Sequence, residues 1–156
     1  EEAQIRIKVN NLEEPSFIEL LYRASQAGVK IDLIVRSICC LVPGIPGESD
    51  NITVKRLVDR YLEHSRLLFF GAGDNVEALM GSADLMTRNL RHRIEVYVRI
   101  KNDDCKKELL EYFKIQWQDN DKAVILLPNF EQEKMSNNGT TEINAQQSIY
   151  NFLETK

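Results

Sequence analysis

Histidine, cysteine and long apolar runs are scarce in this chain, and each scarcity excludes something. Among its 156 residues are two histidines and three cysteines. The cysteines, Cys39, Cys40 and Cys105, are odd in number, and a bridge between the adjacent pair would be strained, so no disulfide framework is expected. A reducing compartment follows from the same count. No CxxC pair or Cys/His ligand spacing is present, which argues against a structural zinc site. The longest apolar runs, such as Ala123 to Pro128, fall far short of the ~20 residues that cross a bilayer. Glu1-Glu2 opens without the basic start and apolar stretch of a signal peptide, so Asn51-Ile-Thr and Asn138-Gly-Thr are not read as glycosylation sites. Neither GxGxxG nor GxxxxGK occurs around Gly44, Gly47 or the Gly71 to Gly73 turn, which disfavours a P-loop. Internal repeats and heptad runs are missing too.

What is present is ordinary globular material. With 43% apolar and 28% charged residues, the composition fits one folded domain rather than a disordered or fibrous chain. Twenty basic against 24 acidic side chains leave a net charge of −4, so the surface as a whole is no polycation for nucleic acid or anionic lipid. Phosphate binding, if any, has to be local.

Ile5 to Val9 alternates with the period of a strand, and Pro15 opens a helix carrying Phe17, Ile18, Leu21, Tyr22 and Ala24 at helical spacing until Gly28 stops it. Val29 to Val35 reads as a buried strand, parallel to the first because a helical crossover intervenes. Leu41 to Gly47 is a Pro-Gly loop. Ile52 to Leu62 is ambiguous between strand and short helix; Arg66 to Phe70, Ala78 to Ser82 and Ile94 to Ile100 read as strands, with Thr87 to Asn89 as a polar turn. Asp103-Asp104 cap a helix with the apolar stripe Leu109, Leu110, Phe113 and Trp117, and Val124 to Leu127 gives a last short strand. Residues 129–144 turn polar, as in a loop or disordered excursion, and Ala145 to Leu153 recovers helical spacing.

Two histidines leave few candidates for imidazole chemistry. His64, in Glu63-His64-Ser65-Arg66 at a strand entrance, is followed by Gly81-Ser82-Ala83-Asp84 at the end of a later strand. This resembles the His-x-Lys half-motif of the phospholipase D superfamily, in which two half-sites meet. Phosphoryl transfer develops charge on oxygens that guanidinium groups neutralise, while an imidazole near neutral pKa exchanges a proton. Arg36 ends the apolar strand Ile31 to Val35, where ligands of open α/β sheets bind, and Arg93 enters from the connection after Thr87 to Asn89. Against each stands a plainer reading, an ion pair or a satisfied interfacial histidine. His92, Arg66, Arg60, Lys55 and Arg88 fit a solvated face or an outer layer better than ligands, and Cys39 and Cys40 fit small buried hydrophobes.

Taken in order, Lys8-Val-Asn-Asn-Leu12, Tyr22 to Arg36, Ile38-Cys-Cys-Leu41, Pro43-Gly-Ile-Pro-Gly47, Leu62-Glu-His-Ser-Arg66 and Ser82-Ala-Asp84 closely resemble the last catalytic domain of bacterial polyphosphate kinase. The likeness runs from residue 4 to 128, and Ala145 to Leu153 resembles that family's closing helix. It implies an α/β fold, a phospholipase D-like mixed β-sheet flanked by helices, divided into a catalytic domain at 1–128, a polar loop or disordered segment at 129–144 and a closing helix at 145–156. It further implies an enzyme that reversibly moves the terminal phosphate of ATP onto inorganic polyphosphate through a phosphohistidine, with magnesium. That histidine and the Mg2+ ligands would sit on a preceding domain, so no metal ligand is assigned here.

Carried over by position, the resemblance gives His64 the part of a second active-site histidine that donates a proton or hydrogen bond. Arg36 would bind the nucleotide phosphates, and Arg93 is a further active-site arginine. The sequence departs from the family pattern at Ser37, where glycine is usual, Val42 (arginine), Leu85 (tryptophan), Thr87 (proline) and Arg91 (an acidic residue). None of these touches Arg36, His64 or Arg93. The chain reads as a piece of a longer kinase, inactive alone, whose partners are ATP, ADP, polyphosphate, the upstream domains and further copies of itself in a homo-oligomer. Its expected location is the cytoplasm, with peripheral membrane association as part of the full-length enzyme. The runner-up is a phospholipase D-like phosphodiesterase or nuclease half-site acting as a homodimer with two copies of His64.

Overall fold

The computed structural model describes residues 3–135, 139 and 141–155. Among the described residues, eight strands form one sheet in the order β6-β5-β4-β1-β2-β3-β7-β8. They are β1 (Gln4–Val9), β2 (Lys30–Val35), β3 (Ile52–Arg56), β4 (Arg66–Phe70), β5 (Glu77–Gly81), β6 (Tyr97–Arg99), β7 (Val124–Leu126) and β8 (Gln132–Lys134). The helices are α1 (Pro15–Gln26), α2 (Thr87–His92), α3 (Asp103–Gln118) and α4 (Ala145–Glu154). The three central strands β1, β2 and β3 are parallel and the flanking pairs antiparallel, the mixed sheet expected.

A crossover helix explains the parallel centre. Pro15 starts α1 with its φ already helical, the Glu14 carboxylate caps it by accepting from Phe17 N–H at 2.7 Å, and Gly28 ends it at φ +85°, where a Cβ would be strained. The helix lays Ile18 and Leu21 on the sheet face made by Ile7, Val9, Ile31, Leu33 and Val35. Being covered on both sides, β2 has no exposed residue after Lys30.

Helices α3 and α4 cover the other face. Phe69 meets Phe113 edge to face at 5.8 Å, and Phe113 stacks on Trp117 at 6.1 Å. Asp119, fully buried, ties this layer together by accepting from the N–H groups of Asp121, Lys122 and Ala123 and from Ala145 N–H at the start of α4.

Several local expectations are corrected. The segment Ile52 to Leu62 is a strand only as far as Arg56, and Ile94 to Ile100 contributes only Tyr97–Arg99 to the sheet. Thr87 to Asn89 opens the helix α2 rather than a turn, since Thr87 N–H donates to Glu13 and Arg91 pairs with Glu14. Asn102, not Asp103-Asp104, caps α3. Within the polar stretch 129–144, Gln132–Lys134 pairs with β7 as an exposed edge strand, where charged side chains suit the solvent. Residues 136–138 and 140 of that stretch, including the Asn138 sequon position, lie outside the described residues, as do Glu1, Glu2 and Lys156.

Candidate active site

The parallel strands β1 and β2 end side by side at Val9 and Val35, and the chain beyond them stays in register. Leu12 bridges Cys39 on one side and Leu85 on the other. Leu12 N–H donates to Ile38 O at 2.8 Å, and Leu85 N–H to Asn11 O at 3.1 Å. Residues following β1, β2 and β5 are thereby laid next to one another. Strand β4 runs the opposite way, so His64 and Arg66 arrive at the same end of the sheet. This is the crevice outside the carboxyl ends of the parallel strands, where the topology of an open α/β sheet leaves room for a ligand.

A closed ring of hydrogen bonds fixes His64 there. Arg36 Nη2 lies 3.3 Å from His64 Nδ1, and Arg36 Nε donates to Asn10 Oδ1 at 2.5 Å. Asn10 N–H in turn donates to Asp84 Oδ1 at 2.8 Å, and Asn11 Nδ2 to Asp84 Oδ2 at 2.9 Å. Asp84 receives both Nε and Nη2 of Arg66, at 3.2 and 3.3 Å, and Arg66 Nη1 returns to the backbone carbonyl of His64 at 3.1 Å. Guanidinium groups only donate, so the imidazole must accept at Nδ1. The ring therefore selects the neutral tautomer with its proton on Nε2, the nitrogen left free of the ring.

Electrostatics agree with that protonation state. Lost hydration, followed by the charges of Arg66 and Arg36, pushes the His64 imidazole below its ordinary pKa, with Asp84 pulling weakly the other way. Burial raises the Asp84 carboxyl, but hydrogen bonds from Arg66, Asn11 and Asn10 outweigh it and hold the group below the usual carboxylate range. Beneath the ring lies Lys8, only 3% exposed, whose ammonium burial pushes down to about 8. Arg36 and Arg66 add to that lowering, whereas Glu63 and Asp84 oppose it. With His64 neutral, Lys8, Arg36 and Arg66 still outnumber the Asp84 and Glu63 carboxylates, so the crevice carries an excess of positive groups suited to an anion.

Arg36 and His64 are thus brought together, and Arg93 is not joined to them. It stands exposed at the C-terminal end of α2, and its charge lowers the carboxyl of Glu95, which chiefly feels hydrogen bonds from Ser82 and Asn89. Arg66 also lowers that carboxyl, from the β4 flank of the crevice. Tyr97 supports the same flank: its hydroxyl donates to Ala83 O at 2.7 Å and its ring covers Gly81, where a Cβ would collide with it. Beside Arg36 a cavity of about 240 Å³ is lined by Leu57, Val58, Tyr61 and Leu62. A larger one, about 450 Å³, lies away from this chemistry between α3 and the sheet, with Arg6, Asp32 and Trp117 in its wall.

Sequence reasoning missed Lys8, Asn10 and Asn11 as site residues and placed Arg66 in a solvated or outer layer. Lys8 occupies the polar phase of an alternating strand, which reads as solvent-facing until α3 covers that face. The ordered pair Asn10-Asn11 directly after a buried strand was the available signal. No cluster of three His, Cys, Asp or Glu side chains able to hold a metal occurs among the described residues. The site carboxylate Asp84 is already saturated with donors, so it does not suit a divalent cation.

Residues 1–146 match the family described as polyphosphate kinase C-terminal domain 2. The chain is 39% identical over 152 residues to a polyphosphate kinase from Vibrio cholerae, covering 97% of this chain and 22% of that protein. It is 47% identical over 121 residues to polyphosphate kinase 1 of Chlorobaculum tepidum, covering 78% and 17%. The crystal structure of polyphosphate kinase from Porphyromonas gingivalis superposes with a TM-score of 0.95 at 42% identity, over 99% of this chain and 24% of that one. The chain thus spans about a fifth of the length of these relatives. A phospholipase D family member from Salmonella typhimurium shares the fold, with a TM-score of 0.57 at 18% identity over 73% of this chain and 77% of that one.

Proposed function

This chain belongs to the polyphosphate kinase family, and from that membership we propose that it forms one wall of the site where ATP and polyphosphate exchange a phosphoryl group. In this reading the bond between the γ-phosphorus of ATP and its bridging oxygen breaks and ADP leaves. A histidine of another part of the full-length polypeptide takes the phosphoryl group and passes it to the terminal oxygen of the polyphosphate chain. Arg36, held by Asn10, neutralises phosphate oxygens, and Arg93 contributes a second guanidinium from the α2 flank. His64 offers Nε2–H to an oxygen on which charge develops. Magnesium would supply further charge neutralisation, with ligands from outside this chain. The full-length enzyme would be a cytoplasmic homo-oligomer, in keeping with three free thiols, and no helix among the described residues is long and apolar enough to cross a membrane.

The observation that carries this reading is the Arg36 to His64 hydrogen bond at the end of β2, a cation and an imidazole locked in one tautomer inside a cationic crevice. The phosphodiesterase alternative has no comparable support, since the phospholipase D likeness extends to the fold alone. In the full-length kinase, His64→Ala is expected to lower ATP-dependent polyphosphate synthesis by ~100- to ~10,000-fold, the range of a lost general acid or base. Synthesis within about twofold of the parent enzyme would refute the assignment.

A further inference from the structure

His64 is flanked by two residues that reach the same partner. Tyr112, on the sheet-facing side of α3, donates its hydroxyl to the Glu63 carboxylate, and the Ser65 hydroxyl lies 3.0 Å from the same Tyr112 oxygen. On the sheet side, Lys8 Nζ donates to Ser65 O at 3.3 Å and attracts Glu63. The segment Glu63–Ser65 is thus gripped from the helix layer by one hydroxyl and from the sheet by one ammonium. The ring through Arg36 and Arg66 touches His64 itself but leaves the residues on either side of it to this second set of contacts. Irregular chain precedes the grip from Val58 to Glu63, where Val58, Tyr61 and Leu62 are 61%, 63% and 72% exposed; hydrogen bonds tie Asp59 to Asn144 and Tyr61 to Gln146, but none of these reaches Glu63 or Ser65.

We propose that Tyr112 and Lys8 are positioning residues for His64, clamping Glu63 and Ser65 so that the imidazole stays seated on Arg36. The cost of burying an ammonium and a phenol hydroxyl beside a carboxylate is then the cost of holding a loop to a fixed geometry. Burial weakens Lys8 as a cation, and Glu63 and Asp84 restore part of its charge against Arg36 and Arg66. Burial and the bond to Glu63 both raise the Tyr112 hydroxyl, which keeps it a donor throughout the working pH range. Neither group needs to touch substrate. The proposal rests on the reading of His64 as a donor to phosphate.

The test removes one partner of the clamp at a time. In the full-length kinase, Tyr112→Phe, Glu63→Ala and the double variant should each lose ~10- to ~100-fold in kcat, with the KM for ATP within ~2-fold, the pattern of a misplaced group rather than lost binding. The double variant should be no slower than the worse single one, because both break the same clamp. Tyr150→Phe, which removes a hydroxyl bonded to Glu154 on the surface of α4, should be unchanged and serves as control. Unaltered kcat in Tyr112→Phe and Glu63→Ala, or fully additive losses, would overturn the proposal. A readout independent of activity is the 15N spectrum of this chain, which has two histidines. Parent His64 should show a bare accepting Nδ1, and Tyr112→Phe or Lys8→Met should move it toward a tautomer average. An unmoved His64 signal in folded Tyr112→Phe and Lys8→Met would overturn the clamp even if the enzyme slowed. If His64→Ala proved fully active, the kinase role of His64 would fall while this spectrum still decided the positioning claim.

Discussion

The two faces of the central sheet are built differently. Against α1, Ile7, Val9, Ile31, Leu33 and Val35 meet Ile18 and Leu21, and stability comes from apolar area. Against α3, the phenyl rings of Phe69 and Phe113 are interleaved with buried Lys8, Lys55 and Asp119. An apolar face tolerates exchange of shape for similar shape, whereas a buried polar face depends on every donor meeting its acceptor. The first holds the fold together, and the second fixes where particular groups stand: Lys8 under the His64 segment, Lys55 on the end of α3, Asp119 at the start of α4.

The largest effect expected of a change confined to either face is on the α1 side. Leu33 is fully buried between Ile7 and Val54, so Leu33→Ala should cost ~2–5 kcal/mol in urea unfolding, and Leu33→Met, which keeps the volume, under about 1.5 kcal/mol. Similar losses for the two substitutions would mean that volume does not govern this face.

The α3 face should respond to chemistry at constant volume. Lys55 Nζ donates to Trp117 O at 2.6 Å, capping an open carbonyl in the last turn of α3, and lies 4.7 Å from the Trp117 ring centroid. Burial lowers its pKa, and the nearby Asp119 and Asp32 carboxylates oppose that. Lys55→Met keeps the stem but orphans the carbonyl, and is expected to lose ~1–3 kcal/mol, more than Leu33→Met, although both create the same side chain. A neutral or stabilising Lys55→Met would erase the contrast between the faces.

The same contrast decides what was legible beforehand. The α1 face was readable because its pattern is local: alternation in β1, the apolar Ile31, Leu33 and Val35 on one side of β2, and a helix between Pro15 and Gly28. Helix α2 was not, because its start depends on Thr87 N–H reaching Glu13 and its end on Arg91 reaching Glu14, both about 74 residues or more away along the chain. A proline at 87 would have no N–H for Glu13, and an acid at 91 would repel Glu14. Strand β8 escaped because an exposed edge has no apolar phase. At the candidate site, Arg36 and His64 were singled out from their place at strand ends, and they lie 3.3 Å apart. Lys8 was hidden by the rule that the polar phase of a strand faces water. Asp84 stood in a quoted motif, yet its role as the junction of Arg66, Asn10 and Asn11 depends on three segments meeting in space.

The smallest effect lies in the hydrogen-bond ring and tests its tautomer. Protonating His64 puts a proton on Nδ1, which Arg36 cannot accept, so two cations would face each other where one hydrogen bond had been. The folded-state pKa accordingly lies below the ordinary 6.5. Between those two values the unfolded chain holds more protons than the folded one, so stability is fully present above pH 6.5 and is lost as pH falls toward and through the folded value. Because His64 is exposed, water screens most of this, and the tilt is best seen as a difference from His64→Gln. Urea midpoints for the two proteins should keep a constant separation above pH 6.5, with the parent losing ground below it, and Arg36→Gln should shrink the loss. A parent that gained on His64→Gln in acid would mean that folding favours the imidazolium. Nδ1 would then be no acceptor for Arg36, and the ring would have to be redrawn with His64 outside it.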